Sequence, residues 1–287
     1  MLRAAAYAAA LLQGGTMIRK LYPGGKTKAF NISYDDGVIQ DIRFVELLNR
    51  YGLKGTFNLN YGLMRSGFTW VHECGMTVER IREDQVLALY RGHEIASHSY
   101  SHPYFDHSSE TEILKELGAD KFFLERLTGS EVEGYATPFC FYSDRMADCV
   151  RHCGFAYARI SEESNDYSVP SDFYRWRGSK FHWDPDLSDF VDGFLNTDQE
   201  LALCQLVGHS YDLDVMHLWD AMESICRRIS ENETVWAATH IEIVQYLRKM
   251  NKTCINEREI RNESDAVLWF NIDGNITALQ PGEIYRR

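Results

Sequence analysis

The 287-residue sequence has no apolar run long enough to cross a bilayer, which excludes a transmembrane helix and argues against a membrane partner. It also lacks any excess of positive charge. A formal net charge of -12 argues against a nucleic-acid phosphate backbone or an anionic lipid surface as partner. That balance suits a neutral or cationic substrate, although an acidic surface is more often only a solubility feature. The seven cysteines (Cys74, Cys140, Cys149, Cys153, Cys204, Cys226 and Cys254) are odd in number and scattered, which does not look like a disulfide framework. Reduced thiols in a cytoplasmic protein are the simplest reading. Cys149 and Cys153 flank His152, but no second cysteine pair completes a zinc site. No linker, low-complexity tract or internal repeat is visible. With 45% hydrophobic and 25% charged residues, the length suits one α/β barrel or two smaller domains.

The first residues, MLRAAAYAAALLQGG, loosely imitate a signal peptide, but the apolar part is short and no A-x-A-like site follows. Residues 1–16 are expected to be a disordered extension, and secretion is the minority alternative to a cytoplasmic location. The sequence that reads as folded domain opens at Met17.

From Lys28 onward, β-like runs alternate with helical patterns. Strands are expected over 28–34, 54–60, 93–99, 132–139, 155–161, 201–211 and 235–239. Helices are expected over 38–50, 78–90, 110–127, 144–152, 218–229 and 241–250. The stretch 166–192 reads as irregular, and 266–279 as a hairpin around Asp273-Gly274. Repeated alternation implies parallel strands with helices packed outside. About seven such units predict an α/β fold: a distorted or incomplete seven-stranded, TIM-like (β/α) barrel, with a doubly wound open sheet as the alternative. The barrel is expected over 17–250, with 251–287 as a C-terminal hairpin extension packed on it.

A barrel places functional residues at the carboxyl ends of its strands. Asp35 and Asp36 end the first strand and precede Gly37. His98 and His102 follow the third, four residues apart, a spacing that brings both rings to one side of a turn. Pro138 ends the fourth strand and His209 the late one. A histidine pair alone is more often structural, but two imidazoles with a carboxylate from another strand end are a common set for a divalent ion. Zinc is the first choice, with Co, Ni, Mn or Fe open on the same ligands. One aspartate as ligand leaves the other beside the metal-bound water, where a hydrolase needs its base.

SYDDG, HSYSH, ATPF and LVGHSYDLD resemble, in order, the motifs of the polysaccharide deacetylase superfamily, that is carbohydrate esterase family four or the NodB-like homology domain. The resemblance covers roughly residues 28–250. It implies a distorted (β/α) barrel that uses a divalent metal to hydrolyse N- or O-acetyl groups from sugars. It assigns Asp35 as general base, Asp36, His98 and His102 as metal ligands, and His209 as general acid. The backbone N–H after Pro138, that of Phe139, would help hold the oxyanion, a role that needs no particular side chain. Trp183, in a loosely matched fourth motif, is placed to stack on a sugar ring. Asp184, Asp186, Asp189, Asp212 and Asp214 are candidates to orient His209.

One departure matters. The family's third motif begins with an arginine that orients and tunes the base; here the position is Ala136. Arg159, Arg175 and Arg177 are candidates to replace it. The expected function is thus a metal-dependent hydrolase that removes acetyl groups from a carbohydrate, at a carbon–nitrogen bond other than a peptide bond or at an ester. Rival readings are a carbohydrate-binding pseudoenzyme, a barrel amidohydrolase for a non-sugar C–N bond, and a non-haem iron oxygenase. The expected partner is an acetylated sugar or oligosaccharide, with no nucleic acid and no membrane.

Overall fold

The first barrel strand alternates with a period of two although it is buried along its whole length. Phe30, Ile32 and Tyr34 enter an apolar cluster shared with the surrounding helices. Asn31, Ser33 and Asp35 take the opposite face, inside the barrel, where Asn31 and Ser33 hydrogen-bond to the next strand. The barrel therefore has a polar interior, and Asp35 is the topmost member of a polar row.

The computed structural model describes residues 17–286. Strand β1 (Ile18–Leu21) precedes β2 (Lys28–Asp35), helix α1 (Asp41–Arg50) and β3 (Gly55–Leu59). Helix α2 (Tyr61–Ser66), strands β4 (Thr69–Val71) and β5 (Thr77–Glu79), and α3 (Glu83–Leu89) lead to β6 (Glu94–Ser97). Next come α4 (Glu110–Thr128), β7 (Gly134–Ala136), α5 (Asp144–His152) and β8 (Tyr157–Glu163). They are followed by β9 (Trp176–Gly178), β10 (Lys180–Phe181), α6 (Leu187–Asn196) and β11 (Ala202–Gly208). Helices α7 (Ser210–Val215) and α8 (Trp219–Ser230), strand β12 (Val235–Ala237) and α9 (His240–Met250) complete the barrel. The remaining strands are β13 (Thr253–Ile255), β14 (Glu259–Asn262), β15 (Leu268–Ile272), β16 (Asn275–Leu279) and β17 (Ile284–Arg286).

The main sheet runs β10-β11-β2-β3-β6-β7-β8-β9, with β12 on β2, and its pairs are parallel. Ser179, between β9 and β10, bonds to both Gln205 and Leu203 of β11 and so draws the two edges of the sheet together. The barrel expected from the alternation is present, with nine strand segments where the sequence reading counts seven. The additional segments are β9 and β10, which come from 166–192, read as irregular. Helix α6 also begins in that stretch.

One further expectation is corrected. The run 78–90 is not one helix: Val78 lies in β5, and the helix begins at Glu83. A buried Val78 and Ile81 satisfy a strand and its exit as readily as a helical stripe. Asp273 and Gly274 both take positive φ (50° and 88°), the backbone a tight hairpin turn between β15 and β16 requires. Beyond that hairpin, the C-terminal region forms a second small sheet, β13-β14-β17, and β15 pairs with β1. Leu268, Phe270, Ile272 and Ile260 share an apolar cluster with α9 and with Ala29, Tyr157 and Leu203 of the barrel. The expected extension at 1–16 lies outside the described residues. Among the described residues, no helix is long and apolar enough to cross a membrane. The seven cysteines are free thiols; Cys74, in the turn between β4 and β5, and Cys140, next to Phe139, are exposed.

Candidate active site

Asp35 closes β2 and is buried. Burial pushes its carboxyl up, but the Arg159 guanidinium, ahead of the protonated His209, outweighs burial and holds it below the usual carboxylate range. Arg159 donates directly to Asp35 Oδ1, and Asn58 donates to the same oxygen at 2.7 Å. The register explains the reach: Arg159 of β8 pairs with Ala136 of β7. The arginine absent at 136 is thus replaced by one from the adjacent strand at the same height. Arg175 pairs with Asp144 instead, and Arg177 faces solvent.

Asp36 answers how two neighbouring carboxylates face one mouth. Its φ of 83° leaves the strand conformation, so the alternation stops there. Arg80 donates to both the Asp36 carbonyl and Oδ1 (3.1 Å), and to Asn60 Oδ1 at 2.8 Å. Burial again raises the carboxyl, and Arg80, ahead of His209, drives it far below its normal value. Each aspartate therefore has its own buried guanidinium, which offsets the like-charge repulsion.

His98 and His102 stand at the end of β6. Ligand atoms of Asp36, His98 and His102 lie within 4.8 Å of one another. His98 Nδ1 lies 2.9 Å from the Ala136 carbonyl, so it carries the proton and leaves Nε2 as a free acceptor. Burial lowers His98 to about 4 and His102 in the same direction, so both rings are neutral, as metal ligands must be. His98 Nε2 sits 3.8 Å from Asp35 and His102 Nε2 3.7 Å from Asp36.

His209 enters from the opposite side, at the end of β11, with Nε2 4.0 Å from Asp36 Oδ2. Burial lowers its basicity, but the hydrogen bond to Asp212 and the charge of Asp36 overcome this and raise it to about 9. Asp212 Oδ2 is 2.9 Å from His209 Nδ1, at i+3 in the first turn of α7. The same carboxylate lies 3.5 Å from His182 Nε2, whose other nitrogen meets the Tyr34 hydroxyl. Gly208 leaves room for that ring, since a Cβ there would fall 2.4 Å from His182. Asp184 and Asp186 instead pair with Lys180, Asp189 is exposed, and Asp214 accepts from Trp219. Trp183 lies nearly parallel to His209, 6.3 Å away.

Pro138 precedes Phe139, whose φ of 55° turns its backbone at the rim and whose ring packs on His102 at 4.5 Å. The structure thus brings together all eight residues singled out in the sequence. Arg80 and His182 were not singled out, and no spacing signal marks them, because their partners lie 44 and 30 residues away. His240 is the first residue of α9, and Thr239 makes its cap.

Residues 23–158 match the family model for polysaccharide deacetylase. That segment, just under half of the chain, is similar to the polysaccharide deacetylase family. The matched segment holds Asp35, Asp36, His98, His102 and Pro138 but ends before Arg159, Trp183 and His209. A search of curated proteins returns no match. Among solved structures, a candidate polysaccharide deacetylase from Mycobacterium smegmatis is 16% identical with a TM-score of 0.60, over 81% of this chain and 94% of that one. A family 4 acetyl xylan esterase from Clostridium thermocellum, in complex with cobalt, is 16% identical with a TM-score of 0.50, over 76% and 90%. A family 4 pseudoenzyme from Bacillus anthracis is 15% identical with a TM-score of 0.50, over 79% and 68%. At these identities the likeness is one of fold.

Proposed function

We propose that the chain is a divalent-metal-dependent deacetylase of an acetylated sugar or oligosaccharide, with Asp35 as base and His209 as acid. The observation that carries this reading is the replacement of the lost arginine by Arg159, which keeps Asp35 ionised beside the Asp36–His98–His102 triad. The triad fits a cation: two neutral imidazoles, one with its tautomer fixed, and one ionised carboxylate. A divalent ion held there, zinc by first choice, would supply Lewis acidity toward the acetyl carbonyl and a more acidic water.

The chain's own groups do the rest. Asp35 accepts the proton of the attacking water, since its ionised form is the one favoured here. The Phe139 N–H donates to the developing oxyanion. His209 is protonated at neutral pH and held by Asp212, so it delivers a proton to the departing nitrogen or oxygen. Trp183 offers a flat face to the sugar. Free thiols support a reducing, cytoplasmic setting. Residues 17–250 are assigned to the catalytic barrel and 251–287 to an extension of it.

The test is acetate release from a panel of N- and O-acetylated sugars, with and without a chelator, followed by metal analysis. Release that stops with chelator and returns with metal is expected. A His98→Ala variant that loses its metal but hydrolyses at the parent rate would overturn the mechanism.

A further inference from the structure

The two limbs of the Asp36–His98–His102 triad come from strand ends that are not neighbours. Asp36 follows β2 and His98 follows β6, with β3 between them in the sheet. The residue that follows β3 is Asn60, and it is buried. Its side-chain nitrogen donates to the His98 carbonyl and to the Ser99 carbonyl, the latter at 2.9 Å. Its oxygen accepts from Arg80 at 2.8 Å, and the same Arg80 nitrogen donates to the Asp36 carbonyl and carboxylate. The amide has only one workable orientation, because a guanidinium donates and a carbonyl accepts. Its oxygen therefore serves the Asp36 limb and its nitrogen the histidine limb.

The histidine limb needs such a hold. Ser99 and His102 take positive φ (66° and 54°), a turn that L side chains do not favour. The His98 N–H meets the Leu59 carbonyl at 2.8 Å and Asp120 at 3.3 Å, and its ring meets Ala136. Those bonds fix His98 without reaching Arg80. Among the described residues, no other side chain hydrogen-bonds both to the backbone of this turn and to the arginine on Asp36.

We infer that Asn60 is a positioning residue that sets Asp36 and His98 relative to each other, and so tunes how tightly the triad takes a divalent ion. This role rests on the proposed metal site and deepens it. Asn60 acts through its neighbours, since Arg80 occupies its oxygen and two carbonyls its nitrogen. The residue type is specific. A serine hydroxyl is too short to span both limbs, and an alanine leaves Arg80 and both carbonyls without this partner.

The probe is the metal alone. Metal-free parent and variants are titrated with zinc and with cobalt(II) by calorimetry, and the visible absorption of bound cobalt reports the ligand geometry. Asn60→Ala should raise Kd about 10- to 100-fold and change the cobalt spectrum. Asn60→Ser, a milder change that keeps the question answerable if the alanine variant does not fold, should raise Kd about 3- to 10-fold. A merely structural role would lower the melting temperature and leave Kd and spectrum at parent values. That result in the folded serine variant overturns the inference. Arg80→Met supplies a second check. Removing Asn60 from that background should cost less affinity than removing it from the parent, because one end of the tie is already gone. Equal losses in the two backgrounds overturn the tie. A parent that takes up neither ion overturns both this role and the metal-dependent reading. A parent that binds metal more tightly than its variants but releases acetate from no sugar removes the deacetylase reading alone, and the role of Asn60 stands.

Discussion

The buried carboxylates of this barrel divide into two groups. At the mouth, Asp35, Asp36 and Asp212 face guanidinium or imidazole groups and are held below their ordinary range in spite of burial. Without a cation beside them, Asp41, Glu94 and Asp120 accept hydrogen bonds from hydroxyls and backbone N–H groups, and burial pushes each up to about 7. Tyr90 and Ser210 serve Asp41, Tyr157 and Thr56 serve Glu94, and Ser97 and Tyr61 serve Asp120. Neutral donors satisfy a carboxyl without keeping it charged, whereas a cation keeps it charged at the same depth. The difference separates groups poised for chemistry from groups that tie elements together.

The largest expected break is Asp36→Ala, which removes a triad donor and should abolish metal binding and acetate release together. Metal analysis and the acetate assay check both. Asp35→Asn should lower kcat by about 10²- to 10⁴-fold while metal content is retained. Lost metal in that variant would mean that the two aspartates exchange roles. Arg159→Met removes the guanidinium that depresses Asp35, so its carboxyl should rise. The acid limb of the kcat/KM profile should then move to higher pH, with a loss of about 10- to 100-fold at neutral pH. Asp212→Asn should lower His209 from about 9, and the alkaline limb should move to lower pH.

The smallest effect belongs to the second group and has the opposite sign from acid denaturation. Glu94 binds its proton more tightly when folded (about 7) than at its reference value of 4.5. Its contribution to stability is complete below 4.5 and is lost as pH rises through about 7. Glu94→Gln imitates the protonated form and should flatten that decline. Melting temperatures of parent and variant between about pH 5 and about pH 8 test it.

The legible parts of the molecule were those written in local periodicity. Strand β2 and the ends of β6 and β11 follow from alternation, and their last residues form the site because parallel strands end on one rim. The Asp212 contact to His209 was legible only as one of several candidates, since a turn brings i+3 close but does not choose between Asp212 and Asp214. Arg159 was visible as a type of residue without a position. Its role depends on the β7–β8 register, a property of pairing and not of either segment alone. Arg80 sits in a stretch whose apolar spacing fits a helix, so its approach to Asp36 had no local mark. The segment 166–192 was opaque because strands of two or three residues are too short for a period to show.

Two exposed thiols stand on loops that flank the mouth: Cys74 at the hairpin tip and Cys140 beside Phe139. With the third exposed thiol, Cys254, replaced by serine, these positions accept a donor–acceptor dye pair with no added mutation at the rim. The molecule thereby carries a native pair of anchor points for a spectroscopic gauge of the distance across its mouth, read with and without an added saccharide.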